Sequence, residues 1–123
     1  MEDTKTLWFK FNEYSNKITK ALGRTSNIVG EYAEYLALKY YGGNLLDISG
    51  SSADIKDANG CLYQVKSRKV KGSTSTQLNV IRSWDFDFLV VILFDENGHI
   101  KHAIEAQVSI AKCRDSTDYL IFL

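Results

Sequence analysis

Proline is absent from all 123 residues. A chain joined from parts by a stiff spacer carries proline-rich connections, so a single continuous domain over residues 1–123 is expected. Cysteine is scarce: Cys61 and Cys113 are the only two. Two are too few for a disulfide framework, and free thiols in a reducing, cytoplasmic setting are the simplest expectation. Long apolar runs are missing. The longest, residues 88–94, is far short of the roughly 20 residues that a membrane-spanning helix needs. Glu2 and Asp3 stand where a secretory leader would lead into an apolar core, so secretion is not expected. Net charge is missing too, with 15 bases against 15 acids. A general nucleic-acid binder is strongly basic, so a partner of that kind has to be held by a local patch. The remaining composition, 45% apolar and 24% charged, is that of an ordinary globular domain of modest core.

One absence is local. No acid occurs in residues 58–84, and the same stretch holds Lys66, Arg68, Lys69, Lys71 and Arg82. Arg68, Lys69, Lys71 and Arg82 are candidate phosphate contacts, with Gln77 and Asn79 in the polar loop as candidate base contacts. A solvated basic loop has the same composition.

The periodicities predict an order of elements. Leu7, Phe11, Tyr14, Ile18 and Leu22 recur at helical spacing, and Gly23 can end that helix. The aromatics Phe11 and Tyr14 are expected in the core. Ser26 or Asn27 can cap a second helix through "IVGEYAEYLALKYY", which stops at Gly42-Gly43. Its inward stripe is expected to be Val29, Ala33, Leu36 and Tyr40, with Glu31 opposite, beside Leu38 and Tyr35. "LLDIS" and "SADIKDA" read as strands, Asn59-Gly60 as a tight turn, and "CLYQVKSRKV" as the returning strand. "FDFLVVILF" is apolar on both faces and reads as an interior strand. "HIKHAIEA" is a further strand, followed by a short helix over "QVSIAKC" and a last strand "DYLIFL". The fold class expected is α/β or α+β, a central mixed sheet flanked by helices. His99 and His102 are three apart on an extended segment, point to opposite faces, and are expected at the surface rather than on one metal.

The chemistry concentrates in "SSADIKDANGCLYQVKSRK". On a strand, Gln64, Lys66 and Arg68 share one face, and Tyr63, Val65 and Ser67 the other. Pairing across the Asn59-Gly60 turn brings Asp54 beside Gln64 and Lys66. A carboxylate, an amide oxygen and an ammonium then converge. Hard oxygen donors with room for water and phosphate suit magnesium, and the adjacent lysine can hold the attacking water and balance charge.

Asp54, nine residues, then Gln64-Val65-Lys66, preceded by a helix that opens Gly30-Glu31, resembles the PD-(D/E)xK nuclease superfamily of restriction-endonuclease-like fold. The resemblance covers roughly residues 26–94. It implies a metal-dependent DNA endonuclease using Mg2+, with Mn2+ as a substitute. It implies Glu31, Asp54, Gln64 and the Val65 carbonyl as metal ligands, and Lys66 as the catalytic lysine beside Glu31, Asp54 and Gln64. Glu34, one turn further on, rivals Glu31. The chain departs from the pattern at Ala53, where the family has proline, and at Gln64, where an amide replaces an acid. The lost charge keeps an alternative in view: a catalytically silent member that binds nucleic acid or a protein partner. So small a domain acting on two strands suggests a homodimer with DNA as its partner.

Overall fold

The computed structural model describes residues 3–22, 27–46, 53–70, 81, 84–108 and 113. Lys71, Gln77, Asn79 and Arg82 lie outside these, as do most of the short helix and all of the last strand expected near the end of the sequence.

Two helices come first, α1 (Thr4–Leu22) and α2 (Ile28–Tyr41). α2 starts where its cap residue predicts: the Asn27 side chain accepts the Gly30 N–H at 3.1 Å, satisfying one of the donors that a helix N-terminus leaves over. It stops at Gly42, whose N–H donates to the Leu38 carbonyl at 2.7 Å. Five strands follow, β1 (Asn44–Leu45), β2 (Ile55–Lys56), β3 (Leu62–Lys69), β4 (Phe88–Phe94) and β5 (Ile100–Gln107). They form a mixed sheet in the order β1-β2-β3-β4-β5. β3 and β4 run parallel and the other neighbours antiparallel. A parallel pair needs a crossover, which is why the long polar stretch after β3 has to exist. The class is therefore α+β with a mixed sheet, as expected.

α2 covers one face of the sheet. Tyr63 and Val65 of β3, Phe88, Val90, Ile92 and Phe94 of β4, and Ala103 of β5 join Ala33 and Ala37 in one buried cluster. Parallel register sets Tyr63 beside Phe88 and Val65 beside Val90, so their side chains leave on the same side. Tyr41 stacks on Tyr63 at 4.1 Å between ring centroids, and Tyr63 on Phe88 at 5.5 Å. The expected inward stripe of α2 holds at Val29, Ala33 and Leu36, which join or pack against the core, and needs correction at Tyr40, which is exposed. The buried residues of α2 are Glu31, Ala33 and Ala37. The small alanines let the helix approach the sheet, and the inward arc centres on them, with Val29 and Tyr41 at its borders; Glu31 is buried on the side of the helix away from that arc.

α1 corrects a second expectation. It forms as predicted, but none of its residues is buried, and Phe11 and Tyr14 are exposed. Periodicity establishes that a helix has an apolar face; it does not say what covers that face.

At the β4–β5 turn, Asp95 Oδ1 accepts the N–H groups of Asn97 and His99 at 2.8 and 3.0 Å. The His99 N–H is the main cause that holds the Asp95 carboxyl below its usual range. His99 and His102 are both exposed, as their spacing predicts. No helix among the described residues is long and apolar enough to cross a membrane.

Candidate active site

The site is built on the edge of β3 where β2 runs out. Ile55 pairs with Tyr63 and Lys56 with Leu62. Continuing that antiparallel register one step sets Asp54 opposite Gln64. The Asp54 N–H donates to the Tyr63 carbonyl at 2.7 Å, and its own carbonyl accepts the Leu46 N–H at 2.8 Å. With its backbone tied on both sides, the side chain reaches on along β3. Asp54 Oδ2 accepts the Val65 N–H at 2.7 Å. A strand residue's N–H and C=O leave on the same edge. The Val65 carbonyl therefore points to the side on which the Asp54 carboxylate lies, past the end of the β2 ladder.

Alternation along β3 does the rest. Tyr63 and Val65 are buried against α2, while Gln64 and Lys66 are half-buried on the opposite face and Arg68 is exposed. Gln64 and Lys66 stand beside Leu89 and Val91 of β4, whose half-buried apolar side chains floor this second face. Asp54, Val65, Gln64 and Lys66 are thus brought to one place, an oxygen-rich edge with an ammonium alongside.

Glu31 is placed differently. It lies in the first turn of α2 and is 6% exposed, while Glu34 is half-buried. α2 covers the Tyr63–Val65 face of the sheet, while Gln64 and Lys66 lie on the opposite face, so the structure does not bring Glu31 together with them. Lys69 also departs from its neighbours. Odd-numbered β3 residues face α2, and Lys69 lines a cavity of about 340 Å³ with Ile18, Val29, Tyr32 and Phe94. Arg68 shares the Lys66 face; Lys69 does not.

Three acids that sequence reasoning passed over shape the surroundings. Asp57 Oδ1 accepts the N–H groups of Asn59 and Cys61, both at 2.9 Å, and Oδ2 accepts the Tyr63 hydroxyl at 2.7 Å. It holds the β2–β3 turn in the register that delivers Asp54. Asp87 clamps the start of β3: its N–H donates to the Leu62 carbonyl and its Oδ2 accepts the Leu62 N–H, both at 2.9 Å. Glu105 is 1% exposed and accepts the Tyr41 hydroxyl at 2.7 Å. The signal for Glu105 was its parity with Ala103 in "HAIEA", which sets an acid on the inward face of a strand.

The cysteine expectation is overturned. Cys61 and Cys113 form a disulfide with Cα atoms 5.5 Å apart, across 52 residues of sequence. The fold brings the start of β3 next to a segment near the end of the sequence, which a count of two cysteines cannot reveal. The argument from free thiols to a reducing compartment falls with it. An Asp87 carboxylate oxygen lies within 4.8 Å of both sulfurs. Sulfur donors suit soft metals rather than magnesium, and the bond consumes both thiols.

Neither a family model nor a curated relative matches the chain. The functional reading therefore rests on the residues themselves.

Proposed function

We propose that the chain is a metal-dependent DNA endonuclease that hydrolyses backbone phosphodiesters. The observation that carries this reading is the Asp54 carboxylate held at 2.7 Å on the Val65 N–H, at a strand edge that presents Gln64 and Lys66 next to it. The donors at hand, a carboxylate, a backbone carbonyl and an amide oxygen, are all hard oxygens and fit Mg2+ or Mn2+. Asp54, the Val65 carbonyl and Gln64 would hold the ion, with Glu31 as the helix ligand that the family resemblance implies. The ion would supply Lewis-acid neutralisation of the phosphate charge.

The protein's own share of the reaction falls to Lys66. Its ammonium orients the attacking water and offsets negative charge as that charge grows on the phosphate oxygens. The water oxygen forms a bond to phosphorus, the bond to one sugar oxygen breaks, and that oxygen takes up a proton. Leu89 and Val91 keep the floor of the site apolar, which strengthens each of these interactions. The test is incubation of linear, nicked, branched and single-stranded DNAs with Mg2+ or Mn2+. Binding without cutting under every condition would turn the reading to the silent alternative, which the amide at Gln64 supports.

Two expected results refine the site. Gln64→Glu adds a carboxylate opposite Asp54 and is expected to tighten Mg2+ by about tenfold or more, the scale on which changes around a metal's ligands act. Trp84 follows the basic stretch and offers a fluorescence readout; an unchanged titration curve would place Gln64 outside the ligand set. The different sides taken by Arg68 and Lys69 predict different salt behaviour. Arg68→Ala should make the log-log salt dependence of duplex binding shallower by about one unit, and Lys69→Ala should leave it unchanged. Equal slopes for the two variants would mean that strand parity does not decide which cation meets phosphate.

A further inference from the structure

A second cluster of reactive side chains, Cys61, Asp87 and Cys113, lies away from the Asp54 edge. β3 and β4 run parallel with Tyr63 beside Phe88, so their starts lie side by side, with Cys61 and Asp87 just ahead of them. Both residues are held. The Cys61 N–H donates to Asp57 Oδ1 at 2.9 Å, and the Cys61 carbonyl accepts the Asp57 N–H at 3.0 Å. Asp87 is tied to Leu62 through its own N–H and its Oδ2, each at 2.9 Å. Cys113 reaches the pair through the disulfide and also packs against the core. One carboxylate oxygen and the two sulfurs lie within 4.8 Å of one another. Cys61 is fully buried, while Asp87 and Cys113 are half-buried and open the group to solvent.

With the bond intact, neither sulfur is a thiolate ligand. We propose that reduction turns this group into a site for one zinc ion, held by Cys61 Sγ, Cys113 Sγ and an Asp87 carboxylate oxygen, with water as the fourth ligand. Two thiolates select a softer ion than Mg2+. Tetrahedral zinc lies about 2.3 Å from sulfur and about 2.0–2.2 Å from a carboxylate oxygen, so its ligand atoms stand about 3.4–3.8 Å apart. Rotation of the two cysteine side chains parts the sulfurs to that distance. The Leu62 N–H on Asp87 is the kind of outer hydrogen bond that orients a ligating carboxylate. A thiolate at the buried Cys61 needs an opposite charge beside it, and the ion supplies one.

The chemistry balances with a dithiol as reductant. One of its thiolates attacks the more accessible Cys113 sulfur, the S–S bond breaks, and the dithiol closes into its own disulfide. Two electrons and two protons pass to the chain, which then carries two thiols. Zinc binding releases both protons to solvent. Residue 113 therefore stays joined to the start of β3 in either state, through a covalent bond when oxidised and through the ion when reduced. The proposal uses no residue of the Asp54 edge and stands independently of the nuclease reading.

The experiment is a zinc titration of the full chain in excess Mg2+, which occupies the Asp54 edge if that edge binds metal. The oxidised chain is compared with one reduced by a phosphine, which becomes its oxide and is then removed without air. The reduced chain should bind one zinc per chain at least about a hundred-fold more tightly than the oxidised chain. Co2+ in place of zinc should give the visible bands of a tetrahedral ion and a thiolate charge-transfer band. Zinc should raise the Tm of the reduced wild type and leave that of Cys113→Ser unmoved. Asp87→Asn keeps an oxygen for the Leu62 N–H. It should still form the disulfide, yet once reduced bind zinc at least about tenfold more weakly. Equal zinc affinity in the oxidised and reduced wild type overturns the proposal. So does one zinc shared between two chains, or an octahedral cobalt spectrum without the thiolate band. If reduction unfolds the chain, zinc should restore its near-ultraviolet circular dichroism, and failure to do so counts equally against it. Undiminished zinc binding by Asp87→Asn overturns the three-ligand site.

Discussion

Lys66→Ala is expected to cut DNA at least about a hundred-fold more slowly than the wild type, while folding normally and binding DNA within several-fold. Removing one preorganised charge donor from a transition state commonly reduces the rate by about 10² to 10³. Lys66 is half-buried, on the face of β3 away from the packed core, so its truncation opens no cavity among Tyr63, Val65 and Phe88. Binding changes little because Lys66 is one cation among several along a backbone. Single-turnover cleavage set beside a binding isotherm separates the two effects. Equal cleavage by Lys66→Ala and wild type would remove Lys66 from the site and leave the Asp54–Val65 edge without its water-orienting group. Equal losses in binding and cleavage would make it a phosphate contact only.

Cys113→Ser is expected to destabilise the fold by about 2–4 kcal/mol. Closing a loop of 52 residues restricts the unfolded chain by up to about 4 kcal/mol in the loop-entropy account. The fall in Tm should be about 10 °C for a domain of this size. Cys61 is fully buried, and a lone buried thiol packs as a small apolar group, so little of the loss comes from the remaining half of the bond. Reducing agent should lower the wild type to the level of the variant and leave the variant unmoved. Thiol titration of the unfolded, unreduced wild type should find no free sulfhydryl. Two free thiols in that titration would disprove the bond directly.

The candidate site was legible to the extent that it depends on local pattern. Asp54, Gln64 and Lys66 could be brought together from the turn at Asn59-Gly60 and the alternation of one strand, because antiparallel register follows from the turn between two adjacent strands. Parity also determined the sides taken by Arg68 and Lys69, although grouping them as one basic run concealed it. Glu31 was less legible. Helix periodicity sets angles around an axis but not what covers each angle, so an acid read as lying opposite the Ala33 stripe is nevertheless buried. Asp87 and Glu105 were hidden for a related reason: their partners, Leu62 and Tyr41, are 25 and 64 residues away.

What the sequence determined by itself is therefore local: two helices, the second capped at Ser26 or Asn27 and stopped at Gly42-Gly43, the β2–β3 turn, the faces of β3, and the apolar character of β4. Each follows from residues within a few positions of one another, whose backbone preferences and periods act before any long-range contact forms. The tertiary structure alone decided the parallel pairing of β3 with β4, the bond between Cys61 and Cys113, the buried Tyr41–Glu105 pair, and the exposure of α1. These depend on which surfaces meet across the sheet, and an apolar stripe, a cysteine or an acid carries no local mark of its partner. Burial and pairing are properties of two segments at once, and the second segment is chosen by the packing of the whole core.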